Sequence, residues 1–541
     1  MTDRNKLLLL QLGLVLGVCY FFFFFGLGAF GLVGADEPRY AQIAREMFAR
    51  HDYIVPTLNG HPWLEKPVFA YWKMIAAYRL FGVFDWAARL PAAFHATLLV
   101  VGVFFFMRRF RFTSELDAAM ITASSAGMIA FGRGASTDIL ISTHFSLAML
   151  SWWTWRETGK KLWLLAFYVL LGIGALAKGP VAPALAVLVV GAYALLRRDG
   201  KIFLRSLSLP GFLLFFAIAL PWYFALQHRV PQFFRVFFIE HNLERFGTNL
   251  YQHSQPFWYY IPVFLLATLP WTVFVVPALI EAGRAAIRRF RTNSEPPPDP
   301  GDGLPGFLFV WTLIPIIFFS ISRSKLPGYI LPSIPAAALL TADYLHRAKA
   351  VSRLKIALHA LVCAVLLVLA LMTPFFMMKR APLPLIGYGT VITGGVIAFL
   401  VMLMVRREGV RALHFVTLIP MILGVAFLLR PGAPVIDAYN SARPIAEELS
   451  QRAPASLPVA TFNVKRDVAY GLDFYLNRPI SHYEQEGPAD LTAGIPAGQH
   501  IVVARMGSLG AVQAVVGNRS VAPIGQFSPR QLEFFLVGPE K

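Results

Sequence analysis

The sequence contains little from which a redox or nucleotide site could be built. Cys19 and Cys363 are the two cysteines among 541 residues, and both fall in apolar stretches, where a free thiol behaves as a small hydrophobic group. No disulfide framework or cysteine metal site is therefore expected. Glycine-rich phosphate loops and dinucleotide fingerprints are also missing from the polar segments, so we expect no bound nucleotide.

Charge is scarce as well. Only 15% of the residues are charged, whereas 57% are hydrophobic and 14% are aromatic, a composition that excludes an ordinary soluble protein. Residues 7–33 carry no charge and exceed the roughly 20 residues that cross a hydrocarbon core. This segment is too long for a cleavable signal peptide and no clear small-residue cleavage site follows it, so it predicts a transmembrane helix.

Further apolar segments predict a polytopic α-helical protein with about thirteen transmembrane helices. After the first, the segments are residues 91–107, 116–132, 137–155, 162–177, 180–196, 209–227, 257–280, 305–321, 327–345, 356–378, 385–405 and 411–429.

The positions of lysine and arginine predict the orientation of these helices. Basic runs at residues 108–111, 156–161, 197–201 and 284–291 fall on one side when the spans alternate, and such loops stay in the cytoplasm. The net charge of +19 arises mostly from these short runs beside spans, so we expect no nucleic-acid partner. An odd number of crossings then places the C-terminus outside.

Three regions are predicted to lie on the outer side. They are a first loop at residues 34–90, a second loop at residues 228–256 and the tail at residues 431–541. The two loops belong to the predicted transmembrane domain, residues 1–430, and the tail is predicted to be a separate domain. Strand-like runs at 457–462, 500–504 and 532–537 and helical patterns at 441–451 and 511–516 predict a small α/β domain there.

The first outer loop contains two amphipathic segments. Apolar residues recur at helical spacing within residues 38–50 and 68–81, which predicts helices lying along the membrane interface. Asp36 and Glu37 stand directly before Pro38, a favoured first residue of a helix, so either acid could cap it. Two adjacent acids exceed what a cap requires, which leaves one carboxylate for function.

Other ionisable residues interrupt apolar segments near the same face. Arg133 and Asp138 flank an outer turn, where an internal ion pair and a role in a site are both open. Lys178 and Lys325 lie beside further spans, and snorkelling explains one such lysine but not a convergent set. Glu65 and His241 are candidate ligands of a divalent metal, although no spacing such as His-Glu-x-x-His is present.

Three short motifs resemble one family of membrane enzymes. They are Asp36-Glu37, Glu65-Lys66-Pro67 and Lys325-Leu326-Pro327-Gly328-Tyr329. Together with the number of spans and the outer tail, they resemble the bacterial aminoarabinose transferases, which are GT-C-type glycosyltransferases related to the protein O-mannosyltransferases. The Asp-Glu motif is shared across that superfamily, whereas the other two motifs are more selective. Relatives that transfer other sugars carry similar strings.

The resemblance also implies roles for individual residues. Asp36 would be the catalytic carboxylate, with Glu37 beside it and Asp138 as a second acid of the cavity. The phosphate of a polyprenyl carrier would be held by Lys66, Arg245 and Tyr329, with Lys325 in the same group. Additional cavity residues would be Glu65, His241, Arg133 and Lys178.

The activity that the resemblance implies is transfer of 4-amino-4-deoxy-L-arabinose from undecaprenyl phosphate to a lipid A phosphate, with inversion. The enzyme would be a monomer in the bacterial inner membrane with its active site facing the periplasm, and it would confer polymyxin resistance. Transfer of another sugar, or transfer to a protein, remains an alternative. A transporter of lipid-linked sugars is a further alternative, which inverted repeats would favour, and none is clear.

Overall fold

The protein is described by a computed structural model that covers residues 3–238, 255–292, 303–347, 352–378, 394–395, 413–483 and 492–540. Helices dominate this part of the chain, and its strands form a two-stranded ribbon and one six-stranded sheet. Helices are expected in a membrane because a helix satisfies the polar groups of its own backbone where no water is present.

The first span leads through an irregular stretch to the two acids. Helix α1 (Asp3–Cys19) continues into a π-helical turn (Tyr20–Phe24), after which residues 25–35 are largely non-helical. Gly26 and Gly34 in this stretch have φ angles of 65° and 67°, a conformation that glycine adopts without a steric cost. The chain can therefore leave the membrane and turn sharply before Asp36.

Both amphipathic helices predicted in the first outer loop are present. They are α2 (Asp36–Ala49) and α3 (Phe69–Phe81), and a short ribbon of β1 (Thr57–Leu58) and β2 (His61–Pro62) lies between them. Helix α2 begins at the acids, and the residue before it, Ala35, makes no side-chain cap hydrogen bond. The interpretation of either acid as the cap of a helix starting at Pro38 is therefore wrong.

The next helices follow the predicted spans closely. They are α4 (Asp85–Phe110), α5 (Glu115–Ser124), α6 (Ala126–Gly132), α7 (Asp138–Thr158), α8 (Lys161–Lys178), α9 (Val181–Leu196), α10 (Gly200–Ser206) and α11 (Leu209–Arg229). The segment predicted as one span at 116–132 is broken at Ser125, whose extended backbone separates α5 from α6. Helix α8 packs between α7 and α11.

The later helices are more often interrupted. They are α12 (Tyr260–Ala267), α13 (Thr272–Thr292), α14 (Leu304–Ile321), α15 (Ile334–Arg347), α16 (Arg353–Met378), α17 (Leu413–Leu429) and α18 (Ala433–Asn440). A 3₁₀ segment, Pro327–Ser333, precedes α15, because its two prolines cannot both continue an α-helix. The predicted span 385–405 lies almost wholly outside the described residues.

Six helices in the described part of the chain are long and apolar enough to cross a membrane, and the pair α17 and α18, bent by 58°, makes up to seven. Among the other predicted spans, 180–196 corresponds to the shorter helix α9 and 257–280 to α12 and α13. The span 137–155 corresponds to α7, which has 21 residues but is not among the six. The polytopic helical fold with a small sheet region is confirmed. The total of about thirteen crossings stays a prediction.

Large apolar side chains point outward from these helices. Leu10 of α1 is 72% exposed, Leu213 of α11 is 63% exposed and Leu361 of α16 is 59% exposed. Extensive exposed apolar surface is unfavourable in water but matches the hydrocarbon of a bilayer. The outward faces of these helices are therefore lipid-facing surfaces, as expected for a multi-pass membrane protein.

The tail folds around a mixed sheet. After α19 (Arg443–Arg452), the elements are β3 (Val459–Phe462), α20 (Arg466–Leu476), β4 (Ile480–His482), β5 (Thr492–Ala493), β6 (His500–Arg505), α21 (Leu509–Val516), β7 (Val521–Phe527) and β8 (Leu532–Val537). The strand order is β5-β4-β3-β6-β8-β7, parallel from β5 to β6 and antiparallel through β8 and β7. The strands and helices expected from the sequence are present, whereas α20, β4, β5 and β7 were not expected. The domain boundary at residue 430 stays a prediction, one residue beyond the end of α17.

The tail contacts the stretch that precedes Asp36. The Arg443 guanidinium donates to the carboxylates of Asp437, at 2.9 Å, and Asp85, at 3.1 Å. The Tyr475 hydroxyl accepts from the Leu32 amide at 2.7 Å and donates to Asp85 at 3.3 Å. Burial, followed by the Asp85 charge, raises the pKa of Tyr475, so its hydroxyl keeps its proton. These bonds tie the tail to the beginning of α4 and to residues 28–32.

Replacing Arg443 should loosen this contact. An Arg443→Met variant leaves Asp85 and Asp437 without their shared cation. Because the Arg443 side chain is only 25% exposed, we expect the free energy that holds the tail in place to fall by roughly 2 kcal/mol. Limited proteolysis in detergent should release the tail faster than in the wild-type protein. The matched change Arg505→Met, at an exposed position of the same domain, should leave the rate unchanged. Equal rates for both variants would contradict this role of Arg443.

Candidate active site

Three arginines bind the backbone carbonyls of the stretch that leads to Asp36. Arg133 donates to the carbonyls of Phe22 and Phe25, at 2.9 and 2.7 Å. Arg89 donates to three further carbonyls, those of Leu27, Phe30 and Gly31, each at 2.8 Å. Arg443 donates to the carbonyls of Gly28 and Ala29, at 3.2 and 3.4 Å. Non-helical carbonyls beside a membrane need such donors, because an unpaired buried polar group is costly.

Glu37 neutralises the most buried of these arginines. Its carboxylate accepts two hydrogen bonds from Arg89, at 2.6 and 3.2 Å, and one each from the amides of Val33, at 2.8 Å, and Ala135, at 2.7 Å. The side chains of Arg89 and Glu37 are only 3% and 10% exposed. The Glu37 carboxylate is thus committed to internal bonds that join α2, α4 and the turn before α7.

Asp36 faces the opposite way, towards solvent. Its side chain is 58% exposed and pairs with Arg39 one turn later on α2. The Arg39 guanidinium lies over the rings of Trp63, at 4.8 Å, and of Tyr470 in the tail, at 5.4 Å. Burial opposes the charge of Arg39, but the charges around it, including that of Asp36, outweigh burial and raise its pKa. Asp36 is therefore a reachable carboxylate beside a fixed cation.

A second cluster of charge joins residues that the sequence had placed on different spans. The Lys178 ammonium pairs with the Asp138 carboxylate and lies 4.3 Å from the centre of the Tyr329 ring. A side-chain carbon added at Gly328 would lie 2.6 Å from Asp138 Oδ2, so only glycine permits this approach. The ion pair proposed between Arg133 and Asp138 is wrong, because Lys178 is the partner of Asp138.

The Glu65-Lys66 turn lies near Asp36. Glu65 contributes to the electrostatic surroundings of Arg39 and Tyr40, and the Lys66 ammonium donates to the Glu65 carbonyl at 3.4 Å. Lys325 belongs to a different environment, because it is buried and donates to the carbonyl of Ser322 within its own loop. The structure thus gives Lys325 a local bond that stabilises the turn before Pro327.

Two of the candidate residues, His241 and Arg245, lie outside the described residues. Across the ranges that the structure describes, no group of three or more histidine, cysteine, aspartate or glutamate side chains could hold a metal ion. The two metal candidates, Glu65 and His241, therefore stay predictions.

Some residues of this region were not singled out from the sequence. Arg89, Asp85 and Tyr475 carry the bonds that hold the stretch before Asp36, and Arg39 occupies the space next to Asp36. The sequence could have indicated Arg89, because an arginine beside an apolar segment usually pairs with another group or contacts a ligand. It could not have indicated that Tyr475 and Arg443 bond to Asp85, since more than 350 residues separate each of them from Asp85.

This arrangement suits a reaction on a phosphate-bearing substrate at a membrane surface. Lys178 pairs with Asp138 beside Tyr329, which carries a hydroxyl, whereas Lys66 lies in the turn near Asp36, an accessible carboxylate. Fixed cations and hydroxyl donors stabilise negative charge that develops on a departing phosphate, whereas a carboxylate can accept a proton or orient a nucleophile.

The fold and this site define a polytopic α-helical membrane protein with a charged site beside its first loop and a small α/β tail. The structure superimposes on the crystal structure of ArnT from Cupriavidus metallidurans bound to undecaprenyl phosphate with a TM-score of 0.78, covering 99% of this chain and 100% of that one at 24% identity. The same protein in its apo state gives a TM-score of 0.76. The two chains therefore share one fold, transmembrane domain and tail included.

Sequence comparison gives the more specific resemblance. Residues 9–237 match the model of a family described as dolichyl-phosphate-mannose-protein mannosyltransferase. An undecaprenyl phosphate-alpha-4-amino-4-deoxy-L-arabinose arabinosyl transferase of Serratia proteamaculans is 33% identical over 59% of this chain and 56% of its own. The corresponding protein of Pseudomonas paraeruginosa is 31% identical over 70% and 66%. The resemblance to aminoarabinose transferases is confirmed, and the matches span little more than half the length of the first relatives.

Glu37 and Asp36 should respond differently to loss of charge. In Glu37→Gln, an amide faces Arg89 and two backbone N–H groups, so the buried cation is left uncompensated. We expect the free energy of unfolding to fall by about 3–5 kcal/mol, and thermal unfolding in detergent measures this change. The control Glu448→Gln breaks a more exposed pair with Arg452 and should cost under about 1 kcal/mol. A stable but inactive Glu37→Gln protein would instead assign Glu37 to the chemistry.

Proposed function

We propose that this protein is an integral membrane glycosyltransferase that moves 4-amino-4-deoxy-L-arabinose from undecaprenyl phosphate to a phosphate of lipid A. The observation that carries the proposal is the name shared by relatives that are 30–34% identical, which are undecaprenyl phosphate-aminoarabinose arabinosyl transferases. The reaction would modify lipid A and confer resistance to polymyxin.

The carrier phosphate is assigned to the cations that face Asp138 and Asp36. Lys178 lies against Tyr329 within the second cluster, and Lys66 lies in the turn near Arg39. Arg245 completes the set in this proposal. Departure of the sugar leaves the carrier as a phosphate anion, whose growing charge these groups would stabilise, and attack from the opposite face would invert the anomeric carbon.

Asp36 is the proposed catalytic carboxylate, and Glu37 is assigned a positioning role beside it. A lipid A phosphate is already an anion, so a strong base is unnecessary for its attack on the sugar. Asp36 would then orient the acceptor or stabilise positive charge that develops on the sugar ring. With a hydroxyl acceptor the same carboxylate would serve as general base.

The proposed location is the bacterial inner membrane, with the site facing the periplasm and the protein acting as a monomer. The positive-inside distribution of lysine and arginine supports this orientation. Asp36, Lys66 and the tail all belong to segments that the distribution assigns to the outer side. The donor and the acceptor lipid would both reach the site from that leaflet.

Loss of the Asp36 carboxylate should abolish most of the turnover. We expect Asp36→Asn to lower kcat by about 100-fold or more, because amide nitrogen and oxygen replace the charge at the reacting centre. Mass spectrometry of lipid A from cells with and without each variant gene measures the transfer. Asp52→Asn, in the same loop, is the control and should retain activity. Substantial turnover by Asp36→Asn argues against an essential carboxylate, and unchanged lipid A with the wild-type gene removes lipid A as the acceptor.

Lys178 should act on the donor rather than on the acceptor. Removing the ammonium in Lys178→Met takes one charge-assisted contact from the carrier phosphate, so the KM for the donor should rise roughly tenfold or more. Steady-state assays with purified protein and separately varied donor and acceptor measure the effect. Lys161→Met changes an exposed lysine at the other end of α8 and should leave both KM values unchanged. A rise confined to the acceptor KM would contradict the assignment.

A further inference from the structure

A cavity of about 250 Å³ has Glu37 in its lining, whereas Asp138, Lys178 and Tyr329 do not line it. One wall comes from α6 and the opposite wall from the outer end of α17, including Leu428. Glu37, Arg89 and Arg133 form its polar part. The cavity is otherwise lined largely by apolar side chains, so it suits a ligand that combines an apolar body with a charged group.

The charges of the cavity do not balance. The Glu37 carboxylate is paired with Arg89 through two hydrogen bonds. Arg133 donates only to backbone carbonyls, and within the described parts of the chain no carboxylate is paired with it. Burial, followed by the charge of Arg89, lowers the pKa of Arg133 to about 10, which leaves it a cation at neutral pH. The cavity therefore carries one positive charge beyond neutrality.

The cavity lies beside the end of α17 and beside the turn that leads to Asp138. Helix α17 ends at Leu429, which lines the cavity, and Arg430 follows with its guanidinium 5.6 Å from the centre of the Phe25 ring. The turn that begins with Arg133 and Gly134 at the cavity reaches the proposed carrier site at Asp138. The turn therefore connects the cavity to the proposed carrier site, and Glu37 joins that turn to α2 through the Ala135 amide.

We propose that this cavity receives one phosphate-bearing end of the bisphosphorylated acceptor glycolipid, with Arg133 as a binding residue for the phosphate that does not attack the sugar beside Asp36. The inference rests on the proposed function, which assigns the carrier phosphate to Lys178 and Lys66 rather than to Arg133. An anionic lipid complements both the excess charge and the apolar walls. The volume is near the lower end for ligand sites, so it admits the phosphorylated end and leaves the acyl chains along α17 in the bilayer.

Filling the cavity tests the proposal without touching a charged residue. In Leu428→Trp the larger side chain occupies the space between α17 and α6, whereas Leu423→Trp makes the same change on the lipid-exposed face of α17, where the leucine is 43% exposed. Binding of bisphosphorylated lipid A and of undecaprenyl phosphate to purified full-length protein is measured by native mass spectrometry. We expect Leu428→Trp to weaken lipid A binding about tenfold and to leave undecaprenyl phosphate binding unchanged. Leu423→Trp should change neither.

Arg133 provides a second test that depends on charge. Arg133→Gln should weaken binding of bisphosphorylated lipid A about tenfold but leave binding of dephosphorylated lipid A unchanged, and Arg133→Lys should restore much of the difference. Unaltered lipid A binding by Leu428→Trp overturns the proposal, as does a loss confined to undecaprenyl phosphate, which would make the cavity a carrier site. Failure of the wild-type protein to transfer sugar to lipid A would remove the proposed function instead, and these binding measurements would still decide whether the cavity takes a phosphorylated glycolipid.

Discussion

The buried pair of Glu37 and Arg89 is the interaction on which the region around Asp36 depends. A charge removed from water costs several kcal/mol unless it is fully paired and hydrogen-bonded, and here both side chains are saturated. Through Arg89 the pair also holds three carbonyls of the stretch between the first span and α2. The course of the chain between the first span and α2, and with it the position of Asp36, therefore depends on this buried pair.

The same constraint explains why neighbouring acids have different environments. Glu37 points inward to Arg89, and Asp36, one residue earlier on α2, points outward to Arg39 and solvent. Successive residues of a helix are separated by about 100° around its axis, so one of them can be buried while the other remains reachable. A double acid at this place therefore supplies one structural carboxylate and one that a substrate can meet.

The tail takes part in this arrangement rather than forming an independent unit beside it. Arg443 and Tyr475 bind carbonyl and amide groups of residues 28–32, and Tyr470 lies against Arg39. A glycine is required at position 31, because an added side-chain carbon would lie 2.2 Å from the Ser441 hydroxyl. The proposed reaction centre is thus assembled from the first span, the first outer loop and the tail, and a mutation in any of them can displace Asp36.

The sequence by itself determined the membrane class, the positions of most helices, the amphipathic helices of the first loop and the α/β character of the tail, because these depend on local hydrophobic periodicity. It also drew attention to Asp36, Asp138, Lys178 and Tyr329, since ionisable or motif residues stand out beside apolar spans. Only the tertiary structure decided which charges pair. Lys178, rather than Arg133, neutralises Asp138, because the folding of α8 against α7 brings together residues 40 positions apart. Hydrogen-bond partners chosen by packing across hundreds of residues leave no periodic trace in a sequence.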